Sequence, residues 1–310
     1  MKNLFKVIFV FSAFVVFATI TSCNNELHEV SSFNNETIEF SKLLNSIDSL
    51  NRKYVPQQDT RGFCHKWGRR ALTATVDGCV GCVSGAATCG FGGLVFGGIA
   101  SGLYDDYMDN IERRMSRSST MKETTILPVQ KQRVIFQSDN GEPADFIDSI
   151  GYYHNLILDE LKASGISYVH NDTDVDYEGI YKAVTTICKK YGICYNEDNH
   201  DKKLAIFAVT DNFIKIMAKD SIPDLDTCFN VIETKKISSL GISSEKMKNL
   251  HQVCNKIVNS VVSTSSENAI SYGNEINKIV DNSSVSLPIK KEIKITNNIA
   301  VNSYLYWNDK

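Results

Sequence analysis

The chain has 310 residues, of which 43% are apolar, 22% charged and 10% aromatic, with 18 Gly, 9 Cys and 5 Pro. These proportions exclude a disordered or collagen-like chain, and the length allows a sizeable core to be buried without help from disulfides or metal. The formal charge of -3 leaves no basic excess to hold a nucleic acid, so none is expected as a partner.

Lys2 and Lys6 precede an uncharged run from Val7 to Ser22 that is short for a transmembrane span and built like a signal peptide, which residues 1–22 are expected to form. The run closes with Ile20-Thr21-Ser22-Cys23, which resembles a bacterial lipobox, followed by polar Asn24 and Asn25. The resemblance implies that the Cys23 thiol receives diacylglycerol, that cleavage falls just before it, and that the new amine is acylated. Two or three acyl chains suffice for a stable anchor, so the expected first partner is a membrane and the expected location is the cell envelope, with the outer membrane as its site. Residues 23–35 then serve as the lipidated cysteine and a polar tether. In Bacteroidota lipoproteins an acidic cluster after the lipidated cysteine favours export to the surface. Only Glu26 and Glu29 stand there, so the periplasmic and surface faces both stay open.

Phe40, Leu43, Leu44, Ile47 and Leu50 recur at helical spacing, predicting an amphipathic helix that ends before Pro56. A basic and aromatic patch follows, with Cys64, His65, Lys66, Trp67, Arg69 and Arg70. From Gly78 to Leu103 there are 26 residues without a charge, and nine of the 18 glycines lie among them. Small residues recur every fourth position at Gly81, Gly85, Cys89, Gly93, Gly97 and Ser101, with a second ladder at Gly78, Cys82, Ala86 and Gly90. On a helix such ladders clear a stripe along which another backbone can approach closely, which is a glycine zipper. The Cys89-Gly90-Phe91-Gly92-Gly93 break predicts two arms of about 13 residues folded as a hairpin, each too short to span the ~30 Å apolar core of a bilayer. The hairpin is expected to dock against the stripe of Phe40, Leu44 and Ile47, so that residues 36–115 form one region.

Residues 116–142 lack sustained periodicity, carry Pro128 and end in Asp139-Asn140-Gly141, which predicts a connector. Helical patterns fill 143–310. One runs through Phe146, Ile147, Ile150, Ile157, Leu158 and Leu161 to a C-cap at Gly165, and another through Ile180, Tyr181, Val184, Ile187 and Cys188 to Gly192. Further stripes are Leu204, Phe207, Ala208, Ile214 and Met217; Leu225, Cys228, Phe229 and Ile232; and Met247, Leu250, Cys254, Ile257 and Val261. Ile270, Ile276, Ile279 and Val280 follow a helix start at Ser265, Ser266 and Glu267, and Leu287 to Trp307 fits helix and strand equally. The predicted class is all-α, a zipper hairpin plus a C-terminal helical bundle able to fold alone, with minor β structure in the connector or at the C-terminus.

The order of Ser49-Leu50-Asn51-Arg52-Lys53-Tyr54, Thr60-Arg61-Gly62, Trp67-Gly68 opening onto a small-residue zipper, and Ile150-Gly151-Tyr152-Tyr153-His154-Asn155 resembles a layout found in uncharacterised lipoproteins of Bacteroidota. The cysteine-rich zipper, and the absence of a proline at its turn, depart from the alanine-rich form that the layout leads one to expect. The resemblance implies no activity.

Cys79 and Cys82 form a CxxC near Cys64, His65 and Cys89, yet no second close pair completes a zinc set, and in the zipper's small positions a thiol packs as a small hydrophobe. Cys188 with Cys194, and Cys228 with Cys254, are either disulfide partners in an exported protein or core thiols. No two of the six histidines have the spacing of metal ligands on one helical face, and no metal or cofactor is expected. Asp172, Asp174, Asp176 and Glu178 lack the glycine and closing glutamate of a calcium loop and read as a solvated segment capping the next helix. His154 and Asn155 are the remaining site candidates: a base or substrate-orienting pair, or a half-buried structural histidine with a hydrogen-bonded partner. The expected function is that of a lipid-anchored, non-enzymatic interaction or structural module for an envelope protein or glycan. The rivals are a membrane-active antagonist resembling glycine-rich bacteriocins and an enzyme of unrecognised type.

Overall fold

The computed structural model describes residues 37–55, 91–116, 133–136, 146–171, 174–195, 198–219 and 244–308, with Ala74, Asp77, Gly78, Val80, Gly81, Ser84 and Gly85 between them. Cys23, the tether, Cys64, His65, the CxxC, Cys89, Cys228 and the Leu225 stripe lie outside the described residues. The chain divides into Met1–Lys42 and Leu43–Lys310, and the contacts below are those within the second unit.

Helix α1 covers 37–54, α2 Phe91–Ser116, α3 Phe146–Ser164, α4 Tyr177–Lys190, α5 His200–Lys219, α6 Ser244–Ser263, α7 Ser266–Asn282 and α8 Leu287–Asn308. The described fold is all-α. Its β structure is one antiparallel pair, β1 Val169–Asn171 and β2 Asp174–Val175, lying between α3 and α4.

The organising element is α8. From Ile295 to Trp307 every residue is buried, so this part of the helix is enclosed on all sides, with Thr296, Asn297, Asn298, Asn302 and Ser303 buried among its apolar residues. That explains why the sequence from Ile295 to Trp307 fits helix and strand equally: a stretch of helix without a wet face has no 3.6-residue alternation to display. α3, α7, α6 and α2 pack around it. Its polar residues are spent inside: Asn297 donates to the Gly273 carbonyl at 2.9 Å and Asn298 to that of Ile147 at 2.9 Å. Asn302 behaves like a strand neighbour for the extended segment 133–136, its Oδ1 accepting from Val134 N at 2.8 Å and its Nδ2 donating to Val134 O at 3.1 Å.

α1 buries Leu43, Ile47 and Leu50, with Leu44 half-buried. It is tied to α6 by Lys256–Asp48 at 2.5 Å, and to α7 by Tyr54–Glu275 at 2.6 Å and Tyr272–Asn51 at 2.9 Å. Described contacts of the zipper hairpin are with α8, α3 and α6. A Cβ on Gly81 would meet Ile299 at 3.2 Å, one on Gly93 would meet Ile295 at 3.0 Å, and one on Gly78 would meet Val258 at 2.7 Å.

The second arm also runs on as the 26-residue α2 through the charged stretch that begins at Asp105. No described helix is long and apolar enough to cross a membrane. Leu94, Val95, Phe96, Ile99, Ala100 and Leu103 of α2 share one core with Ile150 and Ile157 of α3, Ile180 and Val184 of α4, Ile206 and Val209 of α5, and Ile295 and Ile299 of α8. On α5 Phe207 and Ile214 of the expected stripe are buried, together with Ala205, Ile206, Val209 and Thr210, while Leu204 is exposed.

The caps follow local chemistry. Asp176 accepts from Gly179 N at 2.8 Å at the start of α4, as expected of the acidic segment before it. α4 ends with Ile193 N on Cys188 O at 2.9 Å and Gly192 N on Lys189 O at 3.0 Å, with Gly192 at φ +74°, the left-handed close of a Schellman motif.

Candidate functional site: a buried Asp77–His154 pair

Three elements converge through four-residue steps. Asp77, Gly81 and Gly85 of the first zipper arm face Ser303, Ile299 and Ile295 of α8, running the opposite way. Gly97, Gly98 and Gly102 of α2 face His154, Ile157 and Leu161 of α3. Gly93 closes the hairpin, since a Cβ there would lie 3.0 Å from Gly81 O and 3.4 Å from Gly85 Cα. Removing side chains along these lines brings the backbones close, and where the lines meet the polar groups are sealed in.

Asp77, Ser101, His154, Asn155, Asn302 and Ser303 are all fully buried. Ser101 Oγ donates to Asp77 Oδ2 at 3.0 Å, and Ser303 Oγ donates to the same oxygen. His154 Nε2 lies 3.7 Å from Asp77 Oδ2. On the other side of the ring, His154 Nδ1 is 3.2 Å from Asn155 Oδ1. The Asn155 amide is oriented by its second bond, Nδ2 donating to Asn302 O at 3.0 Å, because a backbone carbonyl only accepts. Oδ1 therefore faces the ring, Nδ1 must carry a hydrogen to donate to it, and the lone pair of the neutral imidazole sits on Nε2, toward Asp77.

Burial sets the charge. Loss of solvent pushes the Asp77 carboxyl well above the usual carboxylate range, against the two serine hydroxyls, which favour its ionised form, and with the help of nearby Asp105. Loss of solvent likewise lowers His154 to about 4, with Asn155 and the Gly97 backbone pulling less strongly the other way. Asp77 Oδ1 and His154 Nε2 have no hydrogen-bond partner among the described residues. Lys162 of α3 neutralises Asp105 at 3.0 Å and lies over the Trp307 ring at 3.9 Å, closing the same end of α8.

The residue types are those of a serine hydrolase, but the order is different. In a Ser-His-Asp relay the imidazole stands between hydroxyl and carboxylate. Here both hydroxyls are on the aspartate, so neither serine is activated by the histidine in this arrangement. The set is suited to holding a proton in the interior and to bolting three elements together.

Of the sequence candidates, His154, Asn155, Gly97 and Ser101 come together at this point, while Gly81, Gly85 and Gly93 form the hairpin contact leading to it. Ser101, a small zipper residue by its spacing, contributes its hydroxyl. Asp77, Ser303 and Asn302 are not among the candidates that the sequence singles out. Asp77 does leave a signal, being the position before Gly81 in the four-residue register that continues to Ser101. Elsewhere, Cys188 and Cys194 are free thiols; burial pushes Cys188 up to about 12, and Cys254 Sγ donates to Thr296 Oγ1 at 3.4 Å. No protein-family model, curated protein or solved structure matches the chain.

Proposed function

We propose that the chain is a lipid-anchored protein of the cell envelope that works as a non-enzymatic binding or structural module, held to the outer membrane by acyl chains on Cys23. The observation that carries this reading is the run from Lys2 to Cys23, two lysines, an uncharged stretch and Ile20-Thr21-Ser22-Cys23. A second feature supports its non-enzymatic part: Asp77 and His154 are 0% exposed and their serines are bonded to the carboxyl rather than to the imidazole. The partner of the helical body is an envelope protein or a glycan.

Metabolic labelling with a palmitate analogue should mark the wild-type protein and miss Cys23→Ala; equal labelling of both would overturn the anchor. The non-lipidated mature protein, lacking residues 1–22, should stay in the supernatant when liposomes are sedimented. Tight binding with leakage of vesicle contents would replace the module reading with that of a membrane-active antagonist using the zipper.

A further inference from the structure

The Asp77–His154 pair stands at the junction of the zipper hairpin, α3 and α8, and its two ionisable groups must be treated together. With Nε2 3.7 Å from Oδ2 and both side chains sealed, the enclosed pair has three protonation levels. With one proton its net charge is zero, whether the proton sits on the carboxyl or on Nε2. With none it is a buried anion, and with two it is a buried cation, both costly without solvent.

We infer that Asp77 and His154 hold one proton between them, so that the pair enclosed where the zipper hairpin meets α3 and α8 is neutral, and that this junction loosens as the pH rises above neutrality.

The direction follows from counting protons. When the junction is closed the pair holds one. When it opens, each group returns to its ordinary behaviour in water, near 3.9 for Asp and 6.5 for His. Between about pH 4 and 6.5 the opened pair also holds one proton, now on the histidine, so opening neither takes up nor releases any. The histidine alone would predict acid-induced opening over this window, but the aspartate cancels it. Above about 6.5 the opened pair holds none, so opening releases a proton and becomes up to tenfold easier per pH unit until the closed pair itself loses its proton. The shift upward at Asp77 and downward at His154 both widen the window in which the closed pair keeps one proton.

The surroundings do not reverse this sign. On the hairpin and α2 the groups facing the pair are Ser101, the Gly97 backbone and Asp105, whose charge is met by Lys162; on α3 it is Asn155; on α8 it is Ser303. Asp105 repels a bare Asp77 carboxylate, which strengthens the proton's hold.

Hydrogen exchange on the full-length protein tests this loosening. Corrected for intrinsic exchange rates, opening of the segments 77–85 and 91–103 should rise as the pH goes from 7 to 8.5, by at most tenfold per pH unit, with little change between 5 and 6.5. Asp77→Asn keeps an acceptor for both serines and removes the carboxyl proton, so its opening should be level across pH 7 to 8.5. A wild-type opening constant that is level over that range, or one that rises between pH 6.5 and 5, would overturn the inference. So would an Asp77→Asn protein that keeps the wild-type slope. Should Asp77→Asn fail to fold, the imidazole nitrogen shifts of wild-type His154, assigned by comparison with His154→Gln, decide between the same two outcomes. They should stay constant from pH 5 to 7.5, and an ordinary titration near 6.5 would refute the shared proton.

Discussion

Gly151 shows how little room a single residue can have. It lies on α3 where that helix crosses α8, and a Cβ there would come within 2.1 Å of Asn298 O and 2.4 Å of Asn302 Nδ2. Backbone cannot swing aside like the end of a long side chain, so the helices themselves would have to part. Parting them disturbs the bond from Asn155 to Asn302 O and the grip of Asn302 on Val134. Gly151→Ala is therefore expected to lower stability by about 3 kcal/mol, the upper part of the range for overpacking, read as a fall in the denaturant midpoint. Gly165, with open space around its absent Cβ, offers a contrast: its need is conformational, at φ +64°. Two glycines in one helix-and-cap unit thus serve different ends, and only the second, at the end of a periodic stripe, announces its purpose in the sequence.

At the scale of elements, the zipper behaves as a packing device whose positions are unequal. Gly93 is pressed by Gly81 O and Ile295 Cγ2 at 3.0 Å, whereas the nearest atoms to a Cβ on Gly85 are at 3.9 Å. Gly93→Ala should cost about 2 kcal/mol and Gly85→Ala close to nothing, since alanine recovers helix propensity where there is space; parallel thermal melts would show the ranking, and equal effects would count against the hairpin contact. Much of this level is legible in the sequence. The repeat every fourth residue discloses the hairpin, the Phe146–Leu161 and Ile180–Cys188 stripes disclose α3 and α4, and Gly165 and Gly192 mark their ends. The place of α8 beside the hairpin is not legible, because docking depends on which surfaces meet in space and α8 conceals its helical character from Ile295 to Trp307, where it is buried on every side. The site is half legible for the same reason. His154 and Asn155 stand out as a motif, but Asp77 and Ser303 gain their meaning only when two stretches of chain 226 residues apart are brought together.

For the whole molecule, the core that joins α2 to α3, α4, α5 and α8 bears on how the chain can be divided. A fragment beginning at Gly141 would keep its own stripes but lose Leu94, Val95, Phe96, Ile99, Ala100 and Leu103, all fully buried against them. Uncovering that surface costs roughly 25 cal/mol for each Å² exposed, enough over six side chains to outweigh the margin by which most domains are stable. The fragment 141–310 is accordingly expected to aggregate or to melt without cooperativity, in contrast to the independence suggested by its helical patterns and the connector before it; a sharp, reversible transition by circular dichroism would show instead that the later helices suffice.

The position of α8 has a temporal meaning as well. It is the last described helix to be synthesised, yet it supplies the surface on which the hairpin, α3, α6 and α7 settle. Its pairings reach back 226 residues to Asp77 and 168 residues to Val134. Until it emerges, α3, α6 and α7 lack the buried helix on which they settle, although α2, α3, α4 and α5 already share apolar contacts. Closure of contacts so distant along the chain is slow, because the entropy of looping must be met before any of them gains its reward. The contacts of α8 are accordingly expected to be the last to form, which pulse-labelled hydrogen exchange during refolding would show as late protection of residues 295–307.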